Sequence, residues 1–373
     1  VGGVTRTDLP GTGTPPQAPR NVNRRKFLLA GGATAAAAAA AGLGGQYLQN
    51  KRFTVNTSAV KIAPVKAPPL PASAEITDIP GLSPFYTPNA QFYRVDTALV
   101  IPQVPASSWT LNIHGMVDTP MTLTFNDLMK LPMEEHDITL TCVSESVGGG
   151  YVGNARWQGT LLAPLLKKAG VHPGATQIVM RDVNGMNLGV ATDPVLDGRA
   201  SMLAIGMNGT PLPQVHGFPV RVVVPGLYGY VSACKWVVDM ELTTFPAYTA
   251  YWSQRGWSQQ APIKTESRID VPKYGQVFKA GDTVTIAGVA WAQHRGIEAV
   301  EVLIDGMPRP AVLAAQDTID TWRQWYYRWT ATPGKHVIQV RATDKTGYTQ
   351  TAVKQKPEPN GATGYHTVVV TVA

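Results

Sequence analysis

Cys142 closes a run of strand-forming residues, Ile138 to Thr141, and is followed by a loop with three successive glycines, Gly148 to Gly150, that leads to Asn154, Arg156 and Trp157. A cysteine where a rigid strand hands over to a loop is held in place yet open to a ligand, and working residues concentrate at such points. Its thiolate is a soft donor that suits a thiophilic, redox-active metal. The glycines let backbone pass close to a bulky group, and Arg156 is placed to meet an anion on that surface. These residue types suit a planar, phosphate-bearing group that carries a soft metal. Two other readings of Cys142 are a buried structural thiol and half of a disulfide with Cys234. A thiol hydrolase or redox protein using Cys142 directly is a further reading, but the sequence offers it no convincing His and Asn partner.

A second dense stretch runs from His216 through Arg221 to Gly226 and on through Tyr228, Ser232 and Cys234 to Lys235 and Trp236. Val222 to Val224 read as a buried strand closed by a Pro-Gly turn, with His216 and Arg221 before and at its start. Ser232 and Lys235 follow on the next element, so two cations and a histidine can converge on one anion. Cys234 reads as structural. His172-Pro-Gly174 reads as a loop, and Glu134-Glu135-His136, which lacks zinc spacing, as a solvated turn.

The elements that must position these residues mix strands with short helices. Trp109 to Gly115 alternates like a strand, Gln177 to Met180 reads as another, and Asn126 to Lys130 reads as a short helix capped by Asn126. Leu161 to Ala169 reads as a helix ended by Gly170. No regular βαβ beat appears, which predicts an α+β fold for a first domain over residues 91–260. Beyond it, Asp282 to Trp291, Ala299 to Gly306, His336 to Ala342 and Tyr365 to Val372 are strands at short spacing without a long helix, predicting a β-sandwich over residues 261–373. Trp322, Trp325 and Trp329 read as core or interface.

The formal charge of +7 resides at one end of the chain. Residues 1–66 carry nine Lys or Arg against the single Asp8, whereas residues 67–373 carry 23 against 24. The globular part is nearly neutral, so nucleic acid is not an expected partner. Residues 1–50 read as a disordered start, opening on Val as a fragment does, followed by Arg24-Arg25-Lys26-Phe27-Leu28 and an alanine-rich apolar run to Leu48. That pattern resembles a twin-arginine export signal, with Asn23 where Ser or Thr is usual. As a plain membrane anchor, the run would span roughly 33 Å as a helix. Either reading puts the globular part on the extracytoplasmic side, and the lack of a convincing cleavage site favours a retained anchor. Residues 51–90 read as a Pro/Ala-rich linker.

From about Phe92 onward the chain resembles the sulfite oxidase family. The segment at Cys142 with its Asn-Ala-Arg-Trp, the Asn208-Gly209 turn, His216 to Arg221 and Lys235-Trp236 carry the resemblance in the family's order. It implies a molybdopterin-binding domain followed by an immunoglobulin-like domain that usually makes the homodimer. It also implies a molybdenum–molybdopterin cofactor (Moco) with Cys142 as the protein's metal ligand. His216, Arg221, Ser232 and Lys235 match positions that hold the pterin and its phosphate, with Asp182 a weaker match. Arg94 matches an active-site arginine and Asp96 a pterin-contacting position where histidine is usual.

The departures bear on the substrate. Where vertebrate-type members continue from the cysteine into an arginine for sulfite, this chain has Val143-Ser144-Glu145-Ser146. The substrate-site tyrosine falls at Ile205, and an arginine expected near the C-terminus is absent from Asn360 to Tyr365. Losing cations and a hydroxyl removes much of what binds a small dianion. The expected function is two-electron oxygen-atom transfer on a small oxo or sulfur compound, in either direction, as sulfite-like oxidation or as reduction of an S-oxide or N-oxide. No Cys-x-x-Cys-His motif appears, so electrons pass through a separate partner. The alternative from another class is an exported binding protein that kept the scaffold without its chemistry.

Overall fold

The computed structural model describes residues 55–65 and 67–373; the twin-arginine segment and the start that composition reads as disordered lie outside the described residues. In chain order the first part contains β1 Thr110–Gly115, β2 Met121–Thr124, β3 Glu134–Thr141, β4 Val152–Leu161, β5 Gln177–Asp182, β6 Asn187–Ala191, β7 Met202–Met207, β8 Thr210–Pro211, β9 Arg221–Val223 and β10 Val237–Thr243. One sheet has the order β2-β1-β10-β5-β6, with β1 and β10 parallel. The other runs β3-β4-β7-β8, with β9 also paired to β7.

The longest described helix is Leu162–Ala169. Its Leu162, Leu165, Leu166 and Ala169 recur at helical spacing, and all are buried against Leu111, Ile113, Ile178 and Met240 of the first sheet. Gly170 ends it in the left-handed conformation at φ 70°. The helices Phe125–Leu128, Asp193–Leu196 and Gly229–Ser232 have four residues each. The part is therefore mostly β with few and short helices, a coarser architecture than the α+β expectation. Helix Phe125–Leu128 is capped by Thr124, not Asn126: the Thr124 hydroxyl accepts from the Asp127 amide, and the Asp127 carboxylate accepts from the Thr124 amide. Glu134 to His136 form the opening of β3 and not a turn; pairing with β4 outweighs their charge because their side chains are only half-buried.

Strand β7 is buried on both faces, so all six of its residues lie in the core. Ile205 is one of them, packed with Leu203 and Val222, and it does not reach the cavity described below. Strand β4 crosses β7 with a register shift at Gly159, where an added Cβ would stand 2.0 Å from the Leu203 carbonyl oxygen. Only glycine allows that approach.

The second part has β11 Glu266–Val271, β12 Val277–Phe278, β13 Thr283–Trp291, β14 Ile297–Ile304, β15 Met307–Pro310, β16 Val312–Leu313, β17 Arg323–Thr330, β18 Gly334–Asp344 and β19 His366–Val372. They form two sheets, β11-β13-β17-β16 and β12-β19-β18-β14-β15. Alternate residues of β18 (His336, Ile338, Val340, Ala342) face inward to meet Trp325 and Trp329. Trp322 is buried in the core of the first part.

The sandwich packs against β3, the strand that delivers Cys142. The Thr139 amide donates to the Asp320 carbonyl at 2.9 Å, and the Trp322 amide donates to the Thr139 hydroxyl at 2.7 Å. Gln293 donates from one side-chain nitrogen to the Thr139 carbonyl and the Thr141 hydroxyl. Residues 67–90, read as a linker from composition, are themselves packed: Ala74 and Phe85 are buried, and the Ile76 amide donates to the Gln324 side chain at 2.6 Å. Among the described residues no helix is long and apolar enough to cross a membrane.

Candidate functional site

A cavity of about 240 Å³ opens where the loop after β3, the stretch between β9 and β10 and the β5–β6 hairpin meet. Its lining falls into two groups by contact. The first is polar and contains Cys142, Tyr93, Asp96, His216, Arg221 and Lys235, with the Phe92 ring among them. Phe92 stacks on Tyr93 at 5.3 Å and meets His216 edge-on at 5.6 Å and Trp157 at 5.7 Å. The second is apolar and contains Met186, Leu188, Tyr230, Trp252 and Trp257.

Cys142 is fixed by its backbone. Its amide donates to the Tyr151 carbonyl at 2.9 Å, and its own carbonyl accepts from the Glu145 amide at 3.0 Å. Burial pushes the thiol above its ordinary value, so the proton stays on until a ligand takes its place. Both cysteines are free, which removes the disulfide alternative. Cys234 also lines the cavity, and burial pushes its thiol up strongly. Among the described residues no group of three or more His, Cys, Asp or Glu gathers to hold a metal, so a metal at Cys142 must bring other donors with it.

Arg221 is 5% exposed and packs over the Trp157 ring at 4.9 Å. One terminal nitrogen donates to the His216 carbonyl at 3.2 Å, and its buried Nε has no hydrogen-bond partner. It has no salt bridge to a carboxylate among the described residues, and burial pulls its guanidinium down to about 10. A buried cation with a spare donor on a cavity wall is a place for an anion. His216 sits beside it with Nε2 3.0 Å from the Asn89 carbonyl, and burial lowers its pKa, which keeps it neutral.

The other sequence-selected residues divide. Lys235 and Asp182 line the cavity; Lys235 is ion-paired with Asp96, which also takes Arg94. Asp182 turns its Oδ1 to the amides of Asn184 and Met186, and burial raises its carboxyl. Arg94 is not on the wall and stays half-exposed. Ser232 is fully buried off the wall, with its hydroxyl held by the Leu227 and Tyr228 carbonyls. Arg156 does not face an anion site: it is paired with Asp137 at 2.7 and 2.8 Å, because strand pairing places the two side by side. Tyr93, Met186, Tyr230, Trp252 and Trp257 line the cavity with no local sequence signal to mark them. Aromatic residues at irregular spacing look like core, and only the return of distant segments to one cavity marks them.

The glycine loop is pressed against the sandwich. Gly148, at φ 81°, lies so close to His366 that an added Cβ would stand 2.2 Å from the ring. The Arg268 guanidinium donates to the Gly149 carbonyl at 2.9 Å. Two carboxyls are buried in this seam, Glu145 and Glu266, each with one oxygen lacking a partner. Burial pushes Glu145 up to about 7; burial, with the neighbouring Glu145, pushes Glu266 up to about 8. Arg268 opposes the first shift and Lys264 the second.

A carboxyl raised in the folded state gives stability that is fully present below its unfolded value near 4.5 and is lost as pH rises through 8. Glu266→Gln is therefore expected to raise the melting temperature relative to wild type at pH 9 and to change it little at pH 5. Melting curves that run parallel across this range would exclude Glu266 as the source of the slope.

Comparison with known proteins agrees with this layout. A model of the oxidoreductase molybdopterin binding domain matches residues 98–252, and one of a bacterial Ig domain matches residues 266–370. The chain is 33% identical over 151 residues to the uncharacterized oxidoreductase YuiH of Bacillus subtilis, covering 40% of this chain and 73% of that protein. It is 30% identical over 265 residues to the mitochondrial sulfite oxidase of Macaca fascicularis, covering 60% of this chain and 48% of that protein. The chain thus spans about half the length of the mitochondrial sulfite oxidases it matches. The crystal structure of the sulfane dehydrogenase SoxCD from Paracoccus pantotrophus shares the fold, with a TM-score of 0.65 at 22% identity over 80% of this chain and 88% of that one.

Proposed function

The chain belongs to the sulfite oxidase family of molybdopterin-dependent oxidoreductases, and from that premise we propose that it catalyses two-electron oxygen-atom transfer on a small oxo or sulfur compound. The observation that carries this is the pairing, on one cavity wall, of a free cysteine with a buried arginine that has a spare donor and no carboxylate partner. Those residues fit the family's molybdenum–molybdopterin cofactor: Cys142 is its thiolate ligand, and Arg221, His216 and Lys235 hold the pterin and its phosphate. When bound, that group supplies two-electron redox chemistry and exchange of an oxygen atom. The protein's own work is to exclude water with Phe92 and Tyr93, to keep His216 neutral and to fix Cys142 through β3 and the sandwich behind it. Asp96 keeps Lys235 and Arg94 in place, and Asp182 holds the hairpin that carries Met186.

We assign electron exchange to a separate carrier, since residues 1–373 carry no Cys-x-x-Cys-His motif. The twin-arginine pattern supports export or anchoring with the globular part on the extracytoplasmic side. The β-sandwich forms a homodimer; edge strands β15 and β16 expose the apolar Met307 and Val312, which supports a partner there. Light scattering of the cofactor-loaded protein is expected to give twice the chain mass, and a monomer would remove the dimer.

The test of the function is elemental analysis of protein from a host that makes the cofactor. About one molybdenum per chain is expected. Its absence would move the chain to the class of binding proteins on a retained scaffold.

A further inference from the structure

The apolar wall of the cavity offers no charged side chain to a phosphate, and its composition is informative. Trp252, Trp257, Tyr230 and Met186 are half-buried, in contrast to the fully buried aromatics of the core. Large apolar side chains left facing an open cavity mark a surface that something apolar covers. Resting on the function proposed above, we propose that this wall is a subsite for an aryl or branched alkyl substituent on the substrate's reacting sulfur, and that Trp252, Trp257 and Met186 set the preference.

The wall is built in advance. Trp257 lies 5.8 Å from Tyr230 and 6.5 Å from Trp252, the two indoles crossing at 86°. The Tyr230 hydroxyl donates to the Ser258 carbonyl at 2.5 Å, and the Trp257 amide donates to the Trp252 carbonyl at 3.2 Å. The Tyr251 amide donates to the Asn187 side chain at 2.9 Å, tying the tryptophan segment to the strand that follows Met186. Rings fixed at an angle offer both a face and an edge to an incoming ring, and little ordering is left to be done on binding. Tryptophans packed this way present more apolar area than a single methyl group can cover.

Charge points the same way. The side chains of this wall bring no cation, and the group at its border is a carboxyl, Asp182. Under that function the cavity's cations are committed: Lys235 is paired with Asp96, and Arg221 would be taken by the cofactor's phosphate. A small inorganic dianion finds no free cation here, whereas a neutral organosulfur group needs none.

The test is calorimetric binding to the molybdenum-loaded protein, with methyl phenyl sulfoxide, dimethyl sulfoxide and sulfite as probes. The aryl sulfoxide is expected to bind at least about tenfold more tightly than the dimethyl compound, with sulfite weakest. Trp252→Ala and Trp257→Ala should bring the aryl-to-methyl ratio toward one while the molybdenum content stays at the wild-type level. Met186→Phe, which fills the cleft without removing a ring, should also lower the ratio and serves if a tryptophan variant fails to fold. Equal affinities for the two sulfoxides, or tightest binding of sulfite, would overturn the subsite. So would tryptophan variants that lose molybdenum and pterin, because the wall would then be touching the cofactor. Wild-type protein without molybdenum is a different failure, in which the function itself falls and the subsite with it.

Discussion

Replacing Cys142 with serine is expected to lower turnover by at least about 100-fold, since even groups that only orient a metal ligand are worth 10- to 100-fold. It is also expected to abolish thiolate-to-metal absorption. A serine hydroxyl has nearly the shape of the thiol but is a hard, weak donor that stays protonated, so the change reads ligation with little disturbance of packing. The position is well fixed: the amide and carbonyl of Cys142 are both hydrogen-bonded, and β3 behind it is held by Gln293 and Trp322 of the sandwich. Burial raises the thiol, so metal loading must release its proton and should strengthen as pH rises; the serine variant should lose that dependence. A Cys142→Ser protein with wild-type turnover and spectrum would return Cys142 to the role of a structural thiol.

Arg221→Met should act with opposite signs on two measurements. The guanidinium is buried and has no carboxylate partner among the described residues, so without cofactor the protein carries the cost of an uncompensated charge. Removing it is expected to stabilise the cofactor-free protein by about 1 kcal/mol, net of the lost packing over Trp157 and the bond to the His216 carbonyl. Cofactor retention should fall by about 10- to 100-fold, the worth of one charged hydrogen bond. Thermal unfolding of the cofactor-free protein and pterin content of the loaded protein read the two effects separately. Destabilisation with unchanged pterin would make Arg221 a structural support and not an anion site.

Some of this is legible in the residues themselves. The apolar spacing from Leu162 to Ala169, the glycine after it and the alternation of β13, β14, β18 and β19 predict their elements because each pattern matches the period of the structure it forms. Cys142 at a strand end, His216 and Arg221 before a buried strand and Lys235 after it are also visible, since a soft donor and cations are unusual in a hydrophobic stretch. Local pattern fails where strand pairing decides: Glu134 to His136 join β3, and Arg156 is taken by Asp137 across the ladder. Nor does local pattern place Arg94 or Ser232 with respect to the cavity, because whether a polar group faces a cavity or satisfies its own backbone depends on the neighbours it meets.

The sequence by itself determined the two-part architecture, the soft donor at Cys142 and the cations that accompany it, because these rest on residue type and short-range periodicity. Only the tertiary structure decided which of those cations stays free, that Arg221 does while Arg94 and Lys235 share Asp96, and that Met186, Tyr230, Trp252 and Trp257 meet in one wall. Burial and pairing are properties of what the chain brings together across long separations, and no single stretch carries them.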